Sequence, residues 1–195
     1  MKIALIGAGN IGRALARDLL ESEPDARILA VDFDARALAA TAELDPARVT
    51  TREAAADEVG ALAQLIRGQQ VVVNCTYGAK CMEILDAAIA AKVPYIDVHG
   101  TLLMEERFSR DGAAKAAGVT ALIGTGVSPG LTNMMAAWGA RQFKGAVDIE
   151  CEYATFRPIN PSEGLLETAL RQFRNGVRAP IFEDGKLSYL PPFSR

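Results

Sequence analysis

Gly7, Gly9 and Gly12 fall at the spacing Gly-x-Gly-x-x-Gly, directly after the apolar run Ile3-Ala4-Leu5-Ile6 and at the opening of a helix-like stretch from Asn10. Each glycine has its own task in that setting. The first permits a tight turn, the second lets the backbone approach a pyrophosphate, and the third lets the helix pack close to the strand. The first helical residues, Asn10, Ile11 and Gly12, then offer N–H groups that have no intrahelical partner, at a helix end carrying partial positive charge. Asp32 closes the next apolar run, Ile28-Leu29-Ala30-Val31, at the distance of about 20 residues where such units place a ribose-binding carboxylate. These residues predict a dinucleotide site. A 2′-phosphate would lie against the Asp32 carboxylate, and two charges about 4 Å apart repel by roughly 4 kcal/mol at an effective dielectric of about 20. NAD is therefore favoured over NADP, and Arg36 softens that preference only if it turns inward. Asp34 reads as the N-cap of the following helix rather than as a ligand.

In open α/β sheets, ligands sit beyond the carboxyl ends of the strands. That rule draws attention to Thr76, Tyr77 and Lys80 after one apolar run, Asp97, Val98 and His99 after the next, and Gly124 to Asn133 after the last. Asn74, Cys75 and Thr76 border the expected cofactor crevice, and Thr76 and Tyr77 are the candidate cofactor contacts there. His99 is the only histidine of the chain. An imidazole titrates near neutral pH, so His99 can take a proton from a substrate ammonium or activate water against an iminium; the alternative is a histidine that hydrogen-bonds its loop. Lys80 opens a helix, where it either binds a substrate carboxylate or stays solvated. Asp97 either orients His99 or Tyr77 or caps the loop. Ser128 and Thr132 suit capping or a carboxylate ligand, and Cys75 reads as packed core. Cys75, Cys81 and Cys151 include no Cys-x-x-Cys, so neither a zinc site nor a disulfide framework is expected.

The elements that must carry these residues follow from hydropathy. Strands are expected at 2–6, 28–32, 71–75, 94–98 and 119–124, with a weaker one near Val49 to Thr51. Helices are expected at about 10–22, 35–44, 57–67, 79–91 and 103–117. Continuous apolar strands such as Val71-Val72-Val73 imply a sheet covered on both faces, hence a doubly wound parallel α/β domain over residues 1–128. Beyond it the pattern predicts a helix from Ser128-Pro129-Gly130 to about Phe143, a strand over Val147 to Phe156, a helix from Ser162 to Arg174, and a hairpin turn at Glu183-Asp184-Gly185-Lys186. Residues 129–195 read as the incomplete start of a substrate and dimerisation domain.

Composition narrows the function classes. The net charge is −3 and half the residues are apolar, with no basic stripe, so nucleic acid is not an expected partner. Apolar runs are strand-length, far short of the roughly 20 residues of a membrane span. The first strand starts at the N-terminus without a signal-like segment, and the expectation is a reduced, cytoplasmic protein.

Three stretches resemble the saccharopine dehydrogenase family. Val72-Val73-Asn74-Cys75-Thr76 is followed by Ile84-Leu85-Asp86-Ala87-Ala88 and Val93-Pro94-Tyr95-Ile96-Asp97. Gly124-Thr125-Gly126-Val127-Ser128-Pro129-Gly130-Leu131-Thr132-Asn133 is similar to that family's Gly-x-x-Pro-Gly-x-x-Asn signature. The segment from Ala179 to Phe193 is similar to its substrate-domain hairpin. The resemblance implies oxidation at an amine-bearing carbon of an amino acid, as in the lysine 6-dehydrogenase branch, with hydride passing to the nicotinamide, in a homodimer of a longer chain. Two other classes compete. Short-chain dehydrogenases place Tyr-x-x-x-Lys after the fifth strand, whereas Tyr77-x-x-Lys80 is one residue short and follows the fourth. A non-catalytic NAD-sensing module would share the glycine loop and the acidic strand end; the Pro-Gly-x-x-Asn helix and the hairpin argue against it.

Overall fold

Successive residues of β1 (Lys2–Ile6) point to opposite faces of a sheet, and all four apolar ones are buried. Ile3 and Leu5 enter one core with Ala16 and Leu20 of α1 (Asn10–Ser22), Ile28 and Ala30 of β2 (Arg27–Asp32) and Leu38 of α2 (Ala35–Ala42). Ala4 and Ile6 enter a second core with Leu62 and Ile66 of α3 (Val59–Ile66), Val72 of β4 (Val71–Asn74) and Ile84 and Leu85 of α4 (Cys81–Ala91). Two cores, one on each face, are the reason the strands read as unbroken apolar runs.

With β3 (Val49–Glu53), β5 (Tyr95–Asp97) and β6 (Ala121–Leu122), the strands form a six-stranded sheet in the order β3-β2-β1-β4-β5-β6. Every pairing is parallel. The order reverses between β1 and β4, and that switch point is where such sheets open a crevice for a dinucleotide. The computed structural model describes residues 1–100, 103–145, 149–150, 166, 170 and 178–191.

The structure corrects several expected boundaries. The helix expected over 103–117 is two helices, α5 (Met104–Phe108) and α6 (Asp111–Ala117). The break falls between two arginine anchors on different partners: Arg107 reaches Asp97, and Arg110 holds Asp86 of α4 through Nε at 2.7 Å and Nη2 at 3.1 Å. The strand expected over 119–124 is only Ala121–Leu122, because Gly124 and Thr125 turn away to bond Asp97. The helix expected from residue 79 begins at Cys81 after a single 3-10 turn, Gly78–Lys80.

The chain divides into two compact units, Met1–Cys151 and Glu152–Arg195. The turn after β6 is stitched to the first unit: Thr125 N–H donates to the Asp97 carbonyl at 2.9 Å, and Leu131 N–H to the Gly126 carbonyl at 2.9 Å. From it runs α7 (Leu131–Gln142), which exposes Leu131, Met134, Met135 and Trp138 on one face. In the second unit, β7 (Ala179–Glu183) pairs antiparallel with β8 (Lys186–Leu190). Asp184 and Gly185 between them have φ of 52° and 73°, the pair of positive values that a two-residue hairpin turn of the expected kind needs. The strand expected over 147–156 lies outside the described residues except for 149–150, which are not strand. The helix expected over 162–174 lies outside them except for Leu166 and Leu170, both helical and exposed. Among the described residues, no helix is long and apolar enough to cross a membrane.

Candidate functional site

The glycine loop distributes its three glycines as their spacing predicts. Gly7 has φ of 96°, and a Cβ there would lie 2.8 Å from the Cys75 carbonyl carbon and the Thr76 nitrogen, so β1 could not run beside the end of β4. A Cβ on Gly12 would lie within the Gly7 carbonyl, which closes the strand–helix contact to any larger residue. A Cβ on Gly9 would meet nothing within 4 Å. Gly9 is also the N-cap of α1, followed by Asn10 and Ile11, so its open side lies beside the orphan N–H groups of the first turn. A pyrophosphate fits there, and a larger side chain at position 9 would compete with it.

Asp32 ends β2 beside this loop. Its Oδ2 accepts the Ala8 N–H at 2.6 Å and its Oδ1 accepts the Asp34 N–H at 2.9 Å. Each carboxylate oxygen keeps a further lone pair for a ribose hydroxyl. Asp34 caps α2 as expected, its carboxylate accepting from Arg36 N–H at 2.8 Å. Arg36 itself is exposed. Sequence reading passed over Glu53, which pairs in register with Asp32 across β2 and β3 and so adds a second carboxylate to this edge. Register between two parallel strands is a tertiary fact, and no local spacing reports it.

A buried polar chain joins the carboxyl ends of β4, β5 and β6. Thr76 donates through its hydroxyl to Asn74 Oδ1 at 2.7 Å and through its N–H at 3.0 Å. Asn74 Nδ2 donates to the Tyr95 hydroxyl at 3.1 Å, and that hydroxyl donates to Asp97 Oδ2 at 3.0 Å. Asp97 Oδ1 accepts the N–H groups of His99 at 3.2 Å and Gly124 at 2.9 Å. Arg107 completes the chain, with Nη1 at 2.9 Å from both Asp97 oxygens and Nη2 donating to the Gly100 carbonyl at 2.5 Å. Asn74, Tyr95, Asp97 and Arg107 are all buried. Asp97 therefore caps the loop and orients Tyr95, not Tyr77 as one expectation had it. Asn74 is expected to border the cofactor crevice, whereas sequence reading assigns Tyr95 and Arg107 no role. The Asn-then-Tyr-x-Asp pattern on neighbouring strands was the only sequence signal for Tyr95, and Arg107 had none.

His99 lies where expected, after β5. Its Nε2 is buried and, among the described residues, has no hydrogen-bond partner. Burial pulls its pKa below the ordinary imidazole value; the Asp97 carboxylate opposes that shift and the Arg107 guanidinium adds to it. Lys80 is not held towards the crevice: its ammonium pairs with Asp57 and lies 3.8 Å from Glu83, and the Asp57 hydrogen bond raises its pKa. In this structure the Lys80 charge is compensated within the protein, by Asp57 and Glu83. Tyr77 is exposed beside Thr76. Burial pushes the thiols of Cys75 and Cys81 up to about 12, so both are packed thiols rather than nucleophiles. Around Gly124 to Asn133, a Cβ on Gly126 would lie 2.9 Å from the Val98 carbonyl and one on Gly130 would overlap the Gly126 backbone. Asn133 Oδ1 accepts the Gly130 N–H at 2.9 Å at this helix start. Among the described residues no group of His, Cys, Asp and Glu could hold a metal.

The strand order, the glycine loop at the switch point and the acidic end of β2 define a doubly wound dinucleotide-binding domain. Residues 3–122 match the saccharopine dehydrogenase NADP-binding domain, and the chain belongs to that family. Among solved structures, apo saccharopine dehydrogenase (L-Glu forming) from Saccharomyces cerevisiae matches with a TM-score of 0.62 at 17% identity, over 72% of this chain and 31% of that one. This likeness is one of fold, and the chain spans about a third of that enzyme's length. An NADPH-dependent quinone oxidoreductase from Escherichia coli, complexed with NADPH, gives 0.49 at 19% identity over 62% of this chain and 47% of that one. A protein of gentamicin A biosynthesis in complex with NAD gives 0.48 at 27% identity, over 64% and 34%.

Proposed function

We propose that the chain is the cofactor-binding part of an NAD-dependent dehydrogenase acting at an amine-bearing carbon of an amino acid such as lysine or saccharopine, with His99 as the base. The family and the fold support the oxidoreductase class. The observation that carries the base is the buried, unpartnered Nε2 of the chain's only histidine, at the carboxyl end of β5. A neutral imidazole with a vacant acceptor can take a proton from a substrate ammonium, which frees the nitrogen lone pair to form the C=N bond as the C–H bond breaks. The environment of His99 favours that neutral form.

The residues that would hold the cofactor are Gly7, Gly9, Asn10, Ile11 and Gly12 at the pyrophosphate, Asp32 at the adenosine ribose, and Thr76 and Tyr77 towards the nicotinamide. When bound, the nicotinamide supplies the hydride acceptor. The family's name refers to NADP. NAD is nonetheless the better fit to this chain, because Asp32 and its register partner Glu53 would both face a 2′-phosphate with like charge. By the same resemblance the longer protein works as a homodimer, and this chain's cysteine usage suits a reducing, cytoplasmic setting.

A screen of the longer protein for NAD reduction against lysine, saccharopine and other diamino acids tests this reading. Reduction with one of them, abolished by His99→Gln, is the expected result. Tight NAD binding with no reduction by any amine substrate would overturn it in favour of a sensing module.

A further inference from the structure

The Asp97–Arg107 pair is placed to do more than fill the core. Its four ties converge on the segment that carries His99. Arg107 bridges both Asp97 oxygens and clamps the Gly100 carbonyl at 2.5 Å, while Asp97 Oδ1 holds the His99 N–H from the other side. The backbone before and after His99 is thus fixed to a side chain from α5, and Gly124 N–H on the same Asp97 oxygen fixes the facing turn. A guanidinium–carboxylate unit that ties this loop at both ends fixes the backbone from which the imidazole projects.

We propose that Arg107 is a positioning residue for His99: through Asp97 and the Gly100 carbonyl it holds the 97–100 loop so that the imidazole stays buried with Nε2 unpartnered, ready for a proton. This inference rests on the proton-transfer reading of His99 given above. Arg107 does not touch substrate in this role; it acts through the loop and through its charge.

Among the described residues, titratable groups around the 97–100 loop come from three elements. From β5 they are Asp97 and Tyr95, whose buried phenol titrates well above its ordinary value. From α5 there is Arg107, and from α4 the neutral Cys81 thiol, which feels both Asp97 and Arg107. The turn Gly124 to Gly130 has no titratable side chain. Asp97 and Arg107 are therefore the only charges among these groups, and they act on the imidazole with opposite sign.

The single histidine makes the test direct, since one imidazole resonance reports it without assignment. In the intact chain, pH titration by NMR should show Arg107→Met raising the His99 pKa and Asp97→Asn lowering it. Arg107→Lys keeps the charge and should stay near the wild-type titration. In the longer enzyme, Arg107→Met should lower kcat by roughly 10²-fold, the scale of an ångström of misplacement, with NAD affinity within about 2-fold. Arg107→Lys should restore part of that kcat. Unfolding cannot mimic the result, because it would bring His99 upward to its ordinary value in both variants. Shifts in the same direction, or no shift in either, would overturn the positioning role. The two readings separate cleanly: a His99-dependent kcat without opposed shifts removes Arg107 alone, whereas opposed shifts with a kcat indifferent to His99→Gln support the positioning and remove the base.

Discussion

The Ala8 N–H donates to Asp32 Oδ2 at 2.6 Å, so the carboxylate at the end of β2 also ties down the glycine loop. From its place in the sequence, Asp32 is a ribose ligand and a selectivity residue, and Asp32→Ala is then expected to narrow the gap between NAD and NADP. The structure adds a second effect. Removing the carboxylate frees the Ala8 and Asp34 N–H groups, and each hydrogen bond to a charged group is worth about 1.5–3 kcal/mol. Calorimetric titration should show Asp32→Ala weakening both cofactors while bringing them closer together. Asp32→Asn, which can still accept one of these bonds, should lose selectivity with less loss of NAD affinity. Tighter NADP than NAD binding by the wild-type chain would remove the NAD assignment.

The glycines separate folding from binding. Gly12→Ala forces a Cβ into the Gly7 carbonyl, against backbone that cannot swing aside, and should lower the melting temperature sharply with loss of all cofactor binding. Gly9→Ala meets no protein atom within 4 Å, and Gly9→Val should fold as well. Both are expected to keep near-wild-type melting, with the valine abolishing NAD and NADP binding alike. Thermal unfolding read beside cofactor titration distinguishes the cases, and a Gly9→Val chain that still binds NAD would place the pyrophosphate elsewhere.

The glycine loop, Asp32 and the sheet were legible because each leaves a local signal: a fixed spacing, a run of apolar residues, a turn dipeptide such as Asp184-Gly185. The interior of the site was only half legible. His99 could be singled out from its type and its place after β5, but its unpartnered Nε2 depends on packing from other elements. Arg107 lies ten residues beyond its partner, in a stretch whose periodicity reads as one unbroken helix. Charge alone would assign it to solvent. Lys80 shows the same limit on the surface, since nothing in its local sequence reveals that Asp57 lies against it.

That ion pair makes Lys80 a control. Lys80→Ala removes a partly exposed contact with Asp57 and Glu83 rather than a substrate ligand. Steady-state kinetics of the longer enzyme should show KM for the amino acid and kcat both within about 2-fold of wild type, the behaviour of a residue that contributes neither uniform nor transition-state binding. A rise in KM alone would return Lys80 to the substrate site.

The last prediction concerns acid. In the folded chain His99 titrates below its ordinary value of 6.5, chiefly through burial. The unfolded chain, with an ordinary imidazole, takes up its proton first as pH falls, so in that window it binds more protons than the native state. Stability therefore rises with pH there: the contribution is present above about pH 6.5 and is lost as pH falls through the lower folded value. Urea unfolding of the wild type between pH 7 and pH 5 should show this decline. The His99→Gln variant lacks the group and should decline less over the same interval, whatever its absolute stability. The carboxylates contribute to both chains alike, so the difference between the two profiles isolates His99. Parallel profiles would mean that the imidazole accepts its proton as readily in the fold as in water, and a base held neutral by burial would have no support.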